Sequence, residues 1–157
     1  MADIVAAHYP AVYRFCARRL GDELAQDAAQ ETFLTAMRTL SRFNGTSTLQ
    51  TYLLGIALNH CRNLARKNRM SIAFEDLWNA TGPNPERGLI DGQALRTALA
   101  ELTLEQREAV VMHEIEGLTY DEIGAILSVP AGTIKSRLHY AFVALRQRLL
   151  NCEEVAS

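Results

Sequence analysis

One internal stretch, residues 71–92, limits what this chain can fold into more than any other feature. It holds the run Gly82-Pro83-Asn84-Pro85 and then Gly88, and its apolar residues do not follow helical spacing. Because proline and glycine interrupt regular secondary structure, we interpret the stretch as a linker. It divides the 157 residues into two lobes of roughly 60–70 residues, a size at which a lone hydrophobic core is marginal. We therefore expect partners to contribute to the stability of both lobes.

Before the linker, hydrophobic residues recur every three or four positions, which is typical of amphipathic α-helices. The spacing predicts three helices, with breaks near Gly21-Asp22 and at Phe43-Asn44-Gly45. Pro10 is expected either to kink or to open the first helix, since proline lacks the backbone N–H that a helix interior uses.

After the linker the pattern is again helical. It predicts a short helix near residues 94–101 and a second that starts at the capping sequence Thr103-Leu104-Glu105-Gln106 and closes at Gly117. A second capping sequence, Thr119-Tyr120-Asp121-Glu122, opens the next helix. No segment alternates with the two-residue period of a strand. We therefore predict an all-α protein of two small helical domains, residues 1–70 and 94–157, joined by a flexible acidic linker at 71–93.

Charge is distributed unevenly along the chain. Residues 1–70 carry nine Arg and Lys against five Asp and Glu, residues 71–95 carry one against four, and residues 96–157 carry six against nine. The net charges of +4, −3 and −3 sum to the −2 of the whole chain. A basic first third suggests an anionic partner for that part and a different role for the acidic connector. A chance fluctuation explains the charges equally well.

Composition narrows the class of protein. The longest apolar runs, such as Ala109-Val110-Val111-Met112, are far shorter than the ~20 residues that span a bilayer. The start of the chain lacks the basic lead-in of a signal peptide. The three cysteines (Cys16, Cys61 and Cys152) are far apart and show no CxxC spacing. These features predict a cytoplasmic protein without direct membrane insertion.

Signs of catalysis are weak. His113-Glu114 begins like a zinc-protease motif but lacks the second histidine four residues after the first. His60 and Cys61 are adjacent and therefore point in different directions from a helix. We find no glycine-rich phosphate loop and no nucleophile elbow in the sequence, so we predict no catalytic residues, no metal site, no cofactor and no enzyme activity.

Residues 119–149 have the pattern of a helix-turn-helix motif. Small Gly124 stands where two helices approach closely, and Ser128-Val129-Pro130 forms the short turn. Pro130 suits the first turn of a new helix, where its missing N–H is not needed. That helix, from Pro130 to about Leu149, would project polar and cationic side chains toward the major groove of DNA. A plain helical hairpin with a solvated basic face is the simpler alternative.

Two sets of residues resemble one known family. The runs at 117–124 and 129–138 resemble region 4 of the extracytoplasmic-function (ECF) sigma factors of bacterial RNA polymerase. In the first lobe, the runs at 27–33, 42–45 and 56–59 resemble region 2 of the same family. The motifs occur in the family's order and cover roughly residues 8–150. The resemblance implies a sigma factor that directs core RNA polymerase to promoter DNA and is controlled by an anti-sigma factor.

The resemblance also implies site residues. A basic helical clamp of core polymerase would contact Asp27, Gln30, Glu31 and Phe33. The opened strand of the minus ten promoter element would contact Asn44, Gly45, Thr46, Ser47, Tyr52, Asn59, Arg62, Arg66 and Lys67. The minus thirty-five element would contact Thr119, Tyr120, Gly132, Thr133, Lys135, Ser136, Arg137, His139 and Tyr140.

The chain departs from the family at several of these positions. Tyr52 and Met37 stand where many members carry tryptophan, and Asn44, Gly55 and Leu58 stand where arginine is common. Fewer cations imply weaker intrinsic DNA affinity or an altered minus ten element. His139 and Tyr140 also differ from the usual residues, so base specificity cannot be transferred from relatives.

Two functional alternatives remain open at this point. The chain could be a helix-turn-helix regulator that acts without polymerase, or a sigma-like decoy that binds only an anti-sigma factor. The linker has two interpretations as well, because acidic residues could mimic an RNA backbone in the polymerase cleft or serve as an inert tether.

Overall fold

The structure is a computed structural model that describes residues 1–72, 74 and 92–156. Within these residues every regular element is helical, which confirms the all-α prediction. The chain separates into two compact units, residues 1–76 with 125–128 and residues 77–124 with 129–157.

The first unit is built on three helices. They are α1 (Ala2–Leu20), α2 (Asp22–Thr39) and α3 (Leu49–Lys67), and a single 3₁₀ turn (Leu40–Arg42) follows α2. Both breaks expected from the sequence are confirmed, and Gly21 alone joins α1 to α2 with φ at +80°, a conformation that glycine adopts without strain. Pro10 lies inside α1 on an exposed position. The expectation that Pro10 opens this helix is therefore wrong, because α1 already begins at Ala2.

The core of the first unit alternates large and small side chains. The contributions of α1 include Val12, Phe15 and Cys16, and α3 adds Leu53, Leu58 and Cys61, all at most 1% exposed. Between them, α2 presents mainly alanines at its buried positions. Small side chains on the middle helix let the backbones approach while the larger neighbours fill the remaining space.

Four further helices follow in the described residues, and they belong to the second unit except for residues 125–127. They are α4 (Gly92–Ala100), α5 (Leu104–Val110), α6 (Tyr120–Leu127) and α7 (Ala131–Ala156). Helix α5 continues into a π-helical turn at Val111–Ile115, which the sequence did not predict. The segment closes at Gly117, as expected, with φ at +69°.

Both capping sequences work as predicted. The backbone N–H of Gln106 donates to Thr103 Oγ1 at 3.2 Å, and Thr103 N–H donates to Gln106 Oε1 at 3.2 Å. At the start of α6 the backbone N–H of Glu122 donates to Thr119 Oγ1 at 3.2 Å, and Thr119 N–H donates to Glu122 Oε2 at 2.8 Å. Each pair satisfies N–H groups that a helix start leaves without an internal partner.

Most of the predicted acidic linker (residues 71–93) lies outside the described residues. Where the structure does describe it, two residues are in the core of the first unit: Ile72 is 8% exposed and Phe74 is 4% exposed. Helix α4 begins at Gly92, close to the domain start proposed from the sequence.

Candidate nucleic-acid and partner surfaces

The outer face of α2 carries three of the residues expected to bind core polymerase. Asp27, Gln30 and Glu31 are exposed and lie one helical turn apart on the same side. The same face continues with Leu34 and Met37, which are 46% and 57% exposed. Met37 follows the helical spacing of the other apolar residues of α2, which predicts a buried side chain, but the structure places it at the surface.

Phe33, the fourth residue of that group, lies on the inner side of α2. It is 6% exposed, and its ring centroid lies 6.0 Å from that of Tyr9 on α1. Tyr9 in turn lies 6.1 Å from Tyr13. Partial desolvation and a 3.2 Å hydrogen bond to Asp22 raise the pKa of Tyr13. Phe33 therefore packs against α1 and supports the exposed face of α2 from inside the unit.

The loop before α3 is organised by Asn44. Its Oδ1 atom accepts from the backbone N–H of Thr46 at 3.1 Å and from the Thr46 hydroxyl at 2.8 Å. This side-chain turn, with Gly45 at φ +77°, leaves both Gly45 and Thr46 exposed, while Ser47 is half-buried. Most of the predicted strand-capture loop therefore faces solvent in a defined shape.

Tyr52 contacts residues that precede this loop and holds them in place. Its hydroxyl lies 2.6 Å from Thr39 Oγ1 and donates to the Thr39 carbonyl at 3.1 Å. Its ring centroid is 4.9 Å from that of Phe43. Tyr52 is half-buried, so the aromatic group predicted to stack on a base is already paired with a second ring.

The outer face of α3 is a basic track. Asn59, Arg62, Arg66 and Lys67 are exposed at helical spacing, and the sequence of α3 contains no acidic residue. Behind them, His60 Nε2 lies 2.8 Å from Thr35 Oγ1 and links α3 to α2. The track can accommodate an extended polyanion.

In the second unit, the helix-turn-helix geometry is confirmed at its tightest point. Gly124 is buried, and a Cβ atom there would lie 2.6 Å from the carbonyl oxygen of Val129. The N–H of Val129 donates to Gly124 O at 3.0 Å. Ser128 completes the turn with φ at +58°, and α7 begins directly after Pro130.

The first turns of α7 present the predicted recognition residues. Gly132, Lys135, Ser136, His139 and Tyr140 are exposed, whereas Thr133 and Arg137 are half-buried on the flanks. The Ser136 hydroxyl donates to Gly132 O at 3.1 Å, which leaves its oxygen available as an acceptor. The rings of His139 and Tyr140 meet edge to face at 5.5 Å.

Two predicted contacts precede the turn. Thr119 is exposed but engaged in the cap of α6, and Tyr120 is 38% exposed. The ring of Tyr120 lies 5.1 Å from His113, whose Nδ1 is 2.9 Å from Glu114 Oε1. His113 thus belongs to the surroundings of Tyr120, which sequence reasoning did not anticipate.

Metal-binding and membrane-spanning features are absent from the part of the chain that the structure describes. There, His, Cys, Asp and Glu side chains do not gather in threes as a metal ion would require. Over the same residues, every helix is too short or too polar to cross a membrane.

These elements define a helical protein with an exposed basic track in one unit and a helix-turn-helix in the other. Two family descriptions match it: "Sigma-70 region 2" over residues 4–70 and "Sigma-70, region 4" over residues 92–145. The chain belongs to the ECF sigma factors of RNA polymerase.

Individual relatives agree with this membership. The chain is 37% identical over 156 residues to the ECF RNA polymerase sigma factor SigE of Mycolicibacterium smegmatis, covering 94% of this chain and 60% of that relative. It is 33% identical over 166 aligned positions to the RNA polymerase sigma factor CarQ of Myxococcus xanthus, covering 98% and 92%.

A solved structure is similar as well. It is the sigma factor RpoE of Bartonella quintana in complex with the anti-sigma factor NepR, with a TM-score of 0.64 and 25% identity over 94% of this chain and 95% of that one.

Proposed function

We propose that this chain is a promoter-specificity subunit that binds core RNA polymerase and directs it to particular promoters. In this proposal residues 1–70 bind core polymerase and capture the opened minus ten strand, and residues 94–157 bind the minus thirty-five element. One observation carries it: the two sigma-70 regions match in family order, and each match coincides with one of the exposed surfaces described above.

The acidic and apolar face of α2 supports the contact with core polymerase. Asp27 and Glu31 are like charges one turn apart, an arrangement that destabilises a helix slightly unless a nearby cation offsets the repulsion. A basic partner helix would supply that cation. Leu34 and Met37, exposed in the free chain, would add apolar area at the end of the same face.

The features of the first unit also suit single-strand capture. A strand without a complementary partner needs cations along its backbone and groups that hold unstacked bases. The α3 track provides Arg62, Arg66 and Lys67, while Asn59 and the loop at 44–47 provide hydrogen-bonding groups. Because the ring of Tyr52 packs against Phe43, we propose that this ring positions the loop. The face of the ring that does not meet Phe43 is assigned to base contact.

In the second unit, the exposure pattern of α7 supports a division into two kinds of DNA contact. Lys135 and Ser136 are exposed on the outward face and are assigned to base edges. Arg137 lies on the flank and is assigned to a phosphate, together with the backbone N–H groups at the start of α7.

Transcription in vitro tests the proposal directly. Purified chain and core polymerase are incubated with a library of randomised promoter templates, and the transcripts are sequenced. Enrichment of one two-part promoter over core polymerase alone is the expected result. DNA binding that does not depend on core polymerase would favour the independent regulator, and no effect on transcription would favour the decoy.

We further propose a cytoplasmic location and control by an anti-sigma protein. The support is that the similar RpoE structure holds an anti-sigma factor and that this chain exposes apolar and charged faces in its free form. Affinity purification from the native host should recover a stoichiometric partner that competes with core polymerase. Recovery of a free and constitutively active chain would contradict this control. As a binding subunit, the chain would itself catalyse no reaction.

A further inference from the structure

Arg19, near the end of α1, is almost completely enclosed in the first unit. It is 2% exposed, which is unusual for an arginine because burial removes its charge from water. Its guanidinium carbon lies 3.6 Å from the ring centroid of Phe15 and 5.2 Å from that of Phe74. Nη1 donates to the Phe15 carbonyl at 3.0 Å. The cation therefore contacts two aromatic rings, a favourable arrangement for a planar guanidinium.

Phe74 reaches this position because the chain reverses after α3. Arg69 adopts φ +53°, and the N–H of Met70 donates back to Ala65 O at 2.9 Å, as in a common helix-ending motif. Ile72 and Phe74 are then buried. The part of the chain that leaves α3 thus packs on the unit it has just completed.

The backbone at Phe74 is strained. Its φ is +53°, in the left-handed region that a bulky residue rarely enters. Such a conformation persists only where the surrounding packing holds it. Burial of the ring and its contact with Arg19 oppose the backbone strain, so loss of either side-chain interaction favours release.

We propose that Arg19 and Phe74 form a releasable anchor that fixes where the chain leaves the first unit. The consequence for promoter recognition rests on the proposed function. With the anchor closed, the chain packs on the first unit as far as Phe74; with the anchor open, it leaves that unit near Arg69. Release would add about 17 Å to the reach of the connection, at ~3.4 Å per extended residue.

Hydrogen exchange on the purified chain tests the anchor without polymerase or DNA. Phe74→Ala should speed exchange in the peptide containing Ile72 and Phe74 by about ten-fold, while α1, α2 and α3 keep the parent's protection. Phe142→Ala in the second unit removes an exposed ring of the same kind and should leave that peptide unchanged. Parental exchange in Phe74→Ala would overturn the anchor.

A second variant keeps the test decisive if Phe74→Ala unfolds the whole unit. Phe74→Leu retains an apolar side chain and removes the aromatic face that meets Arg19. Faster exchange confined to the same peptide would support the contact with Arg19. Unchanged exchange in Phe74→Leu would show that Arg19 does not hold the anchor.

The functional consequence is measured with core polymerase on templates whose two promoter elements are one base pair closer or farther apart than the preferred spacing. The Phe74→Ala chain should lose a smaller fraction of its activity than the parent when the spacing changes, because the released chain has more reach. Equal fractional losses would overturn the link to spacing. Failure of the proposed function would look different, since the parent would then give no specific transcript on any template.

Discussion

The effect of a single residue on stability depends on the atoms nearest to it, and Gly124 is the clearest case. Helix propensity alone would favour alanine there by about 1 kcal/mol. A Cβ at this position would instead lie 2.6 Å from the carbonyl oxygen of Val129, a backbone atom that cannot turn aside. The steric clash and the helix propensity have opposite effects on the free energy of unfolding. The sign of the measured change in that free energy shows which effect is larger.

We expect Gly124→Ala to lower the free energy of unfolding of the second unit by about 1–3 kcal/mol. Gly132→Ala is the matched control, because a Cβ there meets nothing within 4 Å. It should raise stability by about 0.5–1 kcal/mol through helix propensity. Urea denaturation measures both, and a stabilised Gly124→Ala would contradict the close approach of the two helices.

The exposure of α7 residues predicts two distinguishable phenotypes. Truncating Lys135, assigned to a base edge, should cost roughly 1–3 kcal/mol and relax preference at one promoter position. Truncating Arg137, assigned to a phosphate, should weaken binding to all sequences and reduce the salt slope by about 1. Promoter binding by the polymerase complex at several salt concentrations measures both effects. If Arg137→Ala alone changed sequence preference, the two roles would be exchanged.

At the scale of whole elements, α2 and α3 each have an inner face that builds the core and an outer face whose composition suits a different partner. On α2 the outer face is acidic and then apolar; on α3 it is basic. Because the inner faces are rich in alanine, leucine and cysteine, changes on the outer faces should leave folding intact.

Charge reversal on α2 tests its partner. Asp27→Lys with Glu31→Lys should weaken binding to core polymerase in a pull-down, since a basic partner helix would then meet like charges, while circular dichroism stays parental. Glu105→Lys with Asp121→Lys, two exposed reversals in the second unit, makes the same change in net charge and serves as the control. Parental binding by the double variant would remove α2 from the polymerase interface.

On α3, Asn59 is exposed beside the basic track, so its amide should act after the DNA duplex opens. Asn59→Ala is expected to reduce open-complex formation on a duplex promoter, measured by permanganate reactivity of unpaired thymines. A pre-melted template should restore activity only in part, because the base contact itself is missing. Asn63→Ala, an exposed neighbour on the same helix, provides the control. Parental opening by Asn59→Ala would exclude this site.

For the whole molecule, the net charge predicts how strongly DNA binding depends on core polymerase. The chain carries −2 overall, and residues 96–157 carry six basic against nine acidic side chains. A negative unit has little long-range attraction for DNA. The free chain should therefore bind a promoter duplex weakly, and added core polymerase should increase the affinity by orders of magnitude. Tight and specific binding by the free chain in a fluorescence anisotropy titration would contradict this view.

The sequence alone determined what depends on neighbours along the chain. Helical periodicity, both capping sequences, the break at Gly21 and the tight turn after Gly124 are local, because hydrogen bonds and backbone conformation within a few residues decide them. The family's motifs are also contiguous runs of residues, so membership in the family can be recognised from the order of amino acids by itself.

The tertiary structure decided which side chains of each helix are buried and which face solvent. Phe33 and Tyr52 were expected to meet partners, yet packing across helices buries the first against Tyr9 and pairs the second with Phe43. Arg19 and Phe74 are 55 residues apart in the sequence, so no local pattern joins them. Burial depends on residues that are distant in the chain and adjacent only after folding, and this is the physical reason that the exposed Met37 and the enclosed Arg19 could not be read from the sequence.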